Sequence, residues 1–133
     1  MELQVGVKVY LRNAEGKFLL LQRSLTKYPE VPNRWDIIGG RIDVGTSLLP
    51  NLDRELWEET GLKMSTVPKL IAAQDILRIP GRHVVRLTYI AETNEIKPTL
   101  SDEHDDFGWF TVAEMQTMDG FDMYAKEILP LVS

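Results

Sequence analysis

The segment from Ser47 to Thr60 constrains this chain more than any other. It reads as an amphipathic helix: successive helical residues turn by about 100°, so Leu48, Leu49, Leu52 and Leu56 share one arc that must be covered. Thr46 or Ser47 is placed to cap its start. Pro50 falls in the first turn, and Gly61 stands where helices commonly end in a left-handed residue. The surrounding segments supply the cover. Leu3, Val5, Val7, Val9 and Leu11 alternate with Gln4, Gly6, Lys8 and Tyr10, the period of a half-buried strand. Asn13-Ala14-Glu15-Gly16 reads as a turn, and residues 17–23 as the hairpin partner.

The remaining segments are shorter. Residues 24–34, with Tyr28-Pro29, Val31-Pro32 and Asn33, form a loop. Residues 35–38 make a brief strand that stops at Gly39-Gly40, and residues 70–79 and 84–91 are two more strands around Pro80-Gly81-Arg82. An acidic polar stretch covers 92–106, and a strand ends at Gly108-Trp109-Phe110. Thr111 and Glu114 form a capping box for a helix over 112–118, and 122–129 is a last helix ended near Pro130. No repeat or linker interrupts the chain, so residues 1–133 are expected to form one α/β domain with more strand than helix.

Composition removes several function classes. The chain has no cysteine, which excludes disulfide scaffolds, thiolate zinc sites and a cysteine nucleophile. Two histidines, His83 and His104, are too few for a multi-histidine metal site and read as structural or loop residues. The longest apolar run, Phe18-Leu19-Leu20-Leu21, falls far short of the ~18 residues that suggest a membrane span. The start lacks a basic segment followed by an apolar one, so a cytoplasmic protein without membrane association is expected. Fifteen basic against twenty acidic residues give a net charge of −5, which disfavours stable nucleic-acid binding. Seven of those acids, however, lie in two places: Glu55, Glu58 and Glu59 on the helix, and Asp102, Glu103, Asp105 and Asp106 in the late acidic stretch.

Glu55, Glu58 and Glu59 stand at i, i+3 and i+4 and share one face beside the leucine stripe. On an open surface such a face is merely solvated, with Arg54 pairing to Glu58. Inside a cleft, two carboxylates about 5 Å apart repel by roughly 3 kcal/mol at an effective dielectric near 20. The cluster must then take up protons or hold a cation, and oxygen donors suit Mg2+ or Mn2+. The strand Trp35-Asp36-Ile37-Ile38 entering Gly39-Gly40, followed by a loop and the N-terminus of this helix, is also an architecture that serves phosphate chemistry.

Together these residues resemble the Nudix box: Gly, five residues, Glu, seven residues, then Arg-Glu-apolar-any-Glu-Glu-any-Gly-apolar. Gly40 opens it and Arg54-Glu55-Leu56-Trp57-Glu58-Glu59-Thr60-Gly61-Leu62 closes it, matching eight of nine fixed positions. Chance would match the last nine positions about once in 10⁷ starts, so a solvated charged face is the weaker explanation. The departure is Thr46, which stands where the box has its first Glu. In the family that Glu braces the box arginine, here Arg54, and Asp43 or Asp53 is the candidate replacement.

The resemblance implies a Nudix-like α/β/α sandwich around a mixed β-sheet. It implies an Mg2+-dependent (or Mn2+-dependent) hydrolase of the diphosphate linkage in a small nucleotide or nucleotide derivative, as a monomer or homodimer. The alternative is a catalytically impaired nucleotide-binding or sensor module. The implied metal set is Glu55, Glu58, Glu59 and the Gly39 carbonyl. The proton acceptor is Glu58, Glu55 or a carboxylate of the late acidic stretch, first Glu103 and then Asp106. Arg23 and Arg34 are candidates for phosphate, with Arg78 and Arg86 behind them. Trp35 or Tyr28 is a candidate for the base, and Gly40 for close backbone approach.

Overall fold

In the computed structural model, which describes residues 1–32 and 34–132, the first strand is the spine of the molecule. β1 (Glu2–Arg12) pairs in parallel with β6 (Arg82–Glu92) along its whole length, from Glu2↔Arg82 to Arg12↔Glu92. On its other side it pairs antiparallel with β4 (Ile38–Arg41), Val7 opposite Gly40, and meets β2 (Phe18–Arg23) at Arg12↔Phe18. β2 continues antiparallel to β3 (Trp35–Asp36) and to β7 (His104–Phe110), and β5 (Lys69–Ile76) pairs antiparallel with β6. Among the described residues this makes one mixed seven-stranded sheet, ordered β3-β2-β1-β6-β5, with β4 on β1 and β7 on β2.

Strand alternation sends each residue class to its own layer. Val7, Val9, Leu11, Leu19, Leu21 and Ile38 pack against Leu52 and Leu56 of α1 (Leu48–Thr60). Tyr10, Phe18, Leu20 and Ile37 pack on the opposite face against Met115 of α2 (Val112–Gln116), Ala125 of α3 (Met123–Glu127), and Ile128 and Leu129. The result is an α/β/α sandwich. β1 is covered on both faces, so Tyr10 is fully buried and Lys8 nearly so. The half-buried strand expected from its alternation is corrected, because a central strand is covered by helices above and below.

Other boundaries also shift. The strand expected over 35–38 splits at Ile37, and β4 runs through Gly39-Gly40 instead of stopping there. β7 begins at His104, inside the stretch read as acidic loop, because it gains β2 as a partner. The last helix closes at Glu127, and a 3₁₀ turn over Leu129–Leu131 follows, where Pro130 ends α-helical hydrogen bonding. The capping box of Thr111 and Glu114 and the left-handed Gly61 (φ 69°) stand as read. Asn33, assigned to the loop over 24–34, lies outside the described residues.

Candidate active site

The leucines of α1 fix its rotation on the sheet, and that rotation presents its glutamates to β4. Glu59 is buried, at 7% exposure, and its Oε2 accepts the Gly39 N–H at 3.4 Å. Gly39 has φ 146°, and a Cβ there would lie 2.0 Å from the Val7 carbonyl oxygen. At Gly40 a Cβ would lie 2.9 Å from the Glu55 carboxylate. The glycine pair thus lets one strand slide between β1 and two carboxylates. Burial pushes the Glu59 carboxyl up to about 8; Glu55 and Glu103 push the same way, while Lys8 and the Gly39 N–H pull back. Burial also raises Glu55, with Arg54 opposing it. Glu58 is exposed.

Arg54 holds this face together. Its Nη1 donates to Glu58 at 3.2 Å, and its Nη2 lies 3.5 Å from Glu55 and 3.4 Å from Asp43. Its shortest contact is one the sequence reading missed, Asn51 Oδ1 at 2.9 Å. The Thr46 hydroxyl donates to the Asp43 carbonyl and accepts from the Asn51 amide. Ser47 takes the N-cap position but its hydroxyl makes no capping bond, which corrects the expected cap; Asn51 Nδ2 donates to the Ser47 carbonyl at 2.8 Å.

A cleft of about 540 Å³ opens beside these residues. Its lining includes the carboxylates Glu55, Glu59 and Glu103 and the cations Lys8, Arg23, Arg41 and Arg78. Arg23 rides over the Tyr28 ring at 5.3 Å and Arg78 over Tyr124 at 5.4 Å. Burial lowers Arg41, and the neighbouring charges of Arg82 and Arg23 add to this. A smaller hollow of about 220 Å³ is lined by Glu55, Glu58, Glu59, Ser101, Asp102 and Glu103. The cleft also contains a buried ionic network. Arg86 Nη1 donates to Asp122 at 2.9 Å, Arg86 Nη2 to Asp36 at 3.2 Å, and Lys8 to Asp36 at 3.1 Å. Burial would raise Asp36, but Lys8 and Arg86 outweigh it and hold the carboxyl at about 2. His104 lines the same cleft, and burial, with Lys8 and Arg23, pushes it down to about 4, so it is neutral at pH 7.

The fold thus brings Glu55, Glu58, Glu59, Glu103, Gly39, Gly40 and Arg23 together from four separate stretches of chain. It does not bring Arg34, Trp35 or Asp106. Arg34 spends its Nε and Nη2 on the Arg23 carbonyl, at 3.1 and 2.8 Å, and pairs with Asp105. Trp35 packs edge-on against Phe110, with ring centroids 5.6 Å apart, as part of the layer beneath α3. Asp106 points out of β7 and accepts its neighbour's N–H. Lys8, Asp36, Asp122 and His104 were not singled out as site residues. A lysine and a tyrosine inside a valine-rich strand were the only sequence sign of a polar residue on a covered face.

The donor set is carboxylate, carbonyl and hydroxyl oxygen. Among the described residues no three His, Asp or Glu side chains gather tightly enough to close a metal site on their own. Such an open set fits Mg2+, which keeps several waters and shares its shell with substrate phosphates. Glu59 carries the fit: a carboxylate buried beside Glu55 and Glu103 is relieved by a cation.

A NUDIX domain family model matches residues 2–132. The chain is 33% identical over 103 residues to an m7GpppN-mRNA hydrolase of Xenopus laevis, covering 68% of this chain and 33% of that protein. It is 35% identical over 83 residues to an RNA pyrophosphohydrolase of Psychrobacter cryohalolentis, covering 61% of this chain and 44% of that protein. It therefore spans less than half the length of these curated relatives. A MutT protein from Methanosarcina mazei Go1 shares the architecture with a TM-score of 0.83 at 25% identity, covering 98% of this chain and 92% of that one.

Proposed function

The chain belongs to the NUDIX domain family, and on that premise we propose that it hydrolyses the diphosphate linkage of a nucleotide or nucleotide derivative with the help of Mg2+ or Mn2+. One observation carries the reading: the carboxylates Glu55, Glu59 and Glu103 and the cations Lys8, Arg23, Arg41 and Arg78 line a single cleft. Pyrophosphate cleavage asks for that pairing, since the phosphates need cations on one side and the attacking water needs positioning and a proton acceptor. The names of the two curated relatives, a cap hydrolase and an RNA pyrophosphohydrolase, agree with cleavage of this bond type.

Glu55, Glu58, Glu59 and the Gly39 carbonyl are the groups to hold the divalent ion. When bound, such an ion neutralises phosphate charge and lowers the pKa of water. Arg23 and Lys8, which line the same cleft, bind phosphate oxygens. Glu103 reaches the hollow from the loop before β7 and takes the proton of the attacking water. The nucleoside end lies deeper, toward Asp36, Arg86 and Asp122, and a cleft of about 540 Å³ has room for one nucleotide unit. Neutral His104 accepts or donates one hydrogen bond there without adding charge.

The test is a panel of nucleoside triphosphates, dinucleoside polyphosphates, nucleotide sugars and 5′-triphosphorylated or capped RNA oligomers, with Mg2+, read by product release. Turnover of at least one class is expected. Glu58→Gln with Glu59→Gln should abolish it, and Glu103→Gln should slow it about 10²–10⁴-fold. Turnover that survives the double substitution would sink the metal assignment. Stabilisation of the fold by a nucleotide without turnover would assign the chain to the binding-module alternative instead.

A further inference from the structure

Asn51 is almost fully buried, at 3% exposure, and all of its amide is committed. Nδ2 donates to the Ser47 carbonyl at 2.8 Å and to the Thr46 hydroxyl, while Oδ1 accepts Arg54 Nη2 at 2.9 Å and the Asp43 N–H at 3.4 Å. The orientation of the amide is forced, because a guanidinium only donates and a carbonyl only accepts. One side chain therefore ties the loop before α1 to the arginine that touches Glu55 and Glu58.

We propose that Asn51 is the positioning residue of this site, working through Arg54 in the place left by Thr46, and that it fixes the guanidinium so that its contacts hold Glu55 and Glu58 in one orientation for a divalent cation. The physical reason is orientation. Arg54 is partly exposed and flanked by three carboxylates, Asp43, Glu55 and Glu58. Without a fixed anchor the guanidinium exchanges among them, and Glu55 and Glu58 lose the fixed orientation it gives them. The Asp43 contact is a weak counterweight, since that carboxylate is 75% exposed and 3.4 Å away. Asn51 is packed, closer, and uncharged, so it anchors one arm of the fork without adding another anion to the cluster. The Asn51 amide bonds both the Thr46 hydroxyl and Arg54, so a longer acidic side chain at 46 is expected to reach the guanidinium once the amide is removed.

The inference rests on the hydrolase reading for its rate measurement but not for its metal measurement. The variants are Asn51→Ala, Thr46→Glu, the double variant, and Thr46→Val, which removes only an exposed residue's hydroxyl. Each is measured for kcat, KM, the Mg2+ concentration at half-maximal rate, thermal midpoint, and Mn2+ affinity without substrate by electron paramagnetic resonance. Asn51→Ala should lower kcat and weaken Mn2+ binding by about tenfold or more, the size of a lost hydrogen bond to a charged group, with KM little changed. Thr46→Val should shift Mn2+ binding the same way by about two- to threefold. Adding Thr46→Glu to Asn51→Ala should recover most of kcat and of the Mn2+ affinity, but not the thermal midpoint, because the bond to the Ser47 carbonyl stays lost. Mn2+ affinity unchanged in both Asn51→Ala and Thr46→Val overturns the proposal. So does a loss in Asn51→Ala that Thr46→Glu fails to rescue, which would make Asn51 a brace of the helix start only. Should Asn51→Ala not fold, Thr46→Val decides alone: unchanged Mn2+ affinity overturns the proposal. A wild-type chain that turns over none of the panel defeats the hydrolase reading, and the Mn2+ titrations still decide the role of Asn51.

Discussion

Glu59 occupies a position that a carboxylate tolerates when it is protonated or beside a cation. Its folded value near 8 lies above the ordinary 4.5, because burial, Glu55 and Glu103 outweigh Lys8 and the Gly39 N–H. The folded state therefore binds this proton more tightly than the unfolded chain does. The stability it contributes is complete below pH 4.5 and is lost as pH rises toward and through 8. In metal-free protein the thermal midpoint should fall over that window by the equivalent of a few kcal/mol. Glu59→Gln should flatten the fall, and added Mg2+ should restore the wild-type midpoint at the alkaline end. Scanning fluorimetry at several pH values checks this, and equal slopes for wild type and Glu59→Gln would contradict it. Thr46 shows why single residues mislead. Read alone it weakens the bracing of Arg54; in the fold the bracing passes to Asn51 and Asp43.

α1 works as an element because two requirements share one helix. Its leucines bury against β1, β2 and β4, and the same rotation turns Glu55 and Glu59 toward Gly39-Gly40. Packing and site geometry are therefore coupled. Leu56→Ala should cost about 2–5 kcal/mol in urea unfolding and should lower activity as well, because the glutamates lose their fixed approach to β4. Trp57 points the other way, half exposed with Lys63 over its ring. Trp57→Ala should change stability by only about 0.5 kcal/mol and leave activity near wild type. A larger stability loss at Trp57 than at Leu56 would refute this rotation of the helix. The periodicity of α1 was readable from its residues. That β4 continues through two glycines was not, since glycine ordinarily weakens a strand and only the pairing with β1 shows why it is needed here.

At the scale of the molecule, the ionic network of Lys8, Asp36, Arg86 and Asp122 joins β1, β3 and β6 to the start of α3. Asp122 also caps α3 by accepting the N–H groups of Tyr124 and Ala125. Asp122→Ala removes the cap and leaves Arg86 buried with one carboxylate in place of two. Breaking a buried pair in this way costs about 3–5 kcal/mol. Asp122→Asn keeps the cap acceptor and should cost clearly less. Urea unfolding of the two variants at neutral pH tests the ordering, and equal losses would show that the cap acceptor contributes nothing and that the loss is that of the charge. The net charge of −5 takes on a different meaning at this scale, because the fold gathers acids and arginines into one cleft.

The sequence by itself determined the periodic features: the strand alternation, the leucine stripe, the capping box, the glycine stop at 61 and the spacing of Glu55, Glu58 and Glu59. Each follows from local geometry, in which side chains a few residues apart either share a face or do not. It also determined the family, because the box is a local pattern. Tertiary structure decided the rest. It covered both faces of β1 and so placed Lys8 in the cleft. It carried Glu103 to the glutamates of α1 across more than forty residues of chain. It turned Arg34 and Trp35 away into backbone and core contacts, and it put Asn51 where the box leaves a gap. Those outcomes depend on which elements meet, and contacts between distant segments leave no period in the sequence.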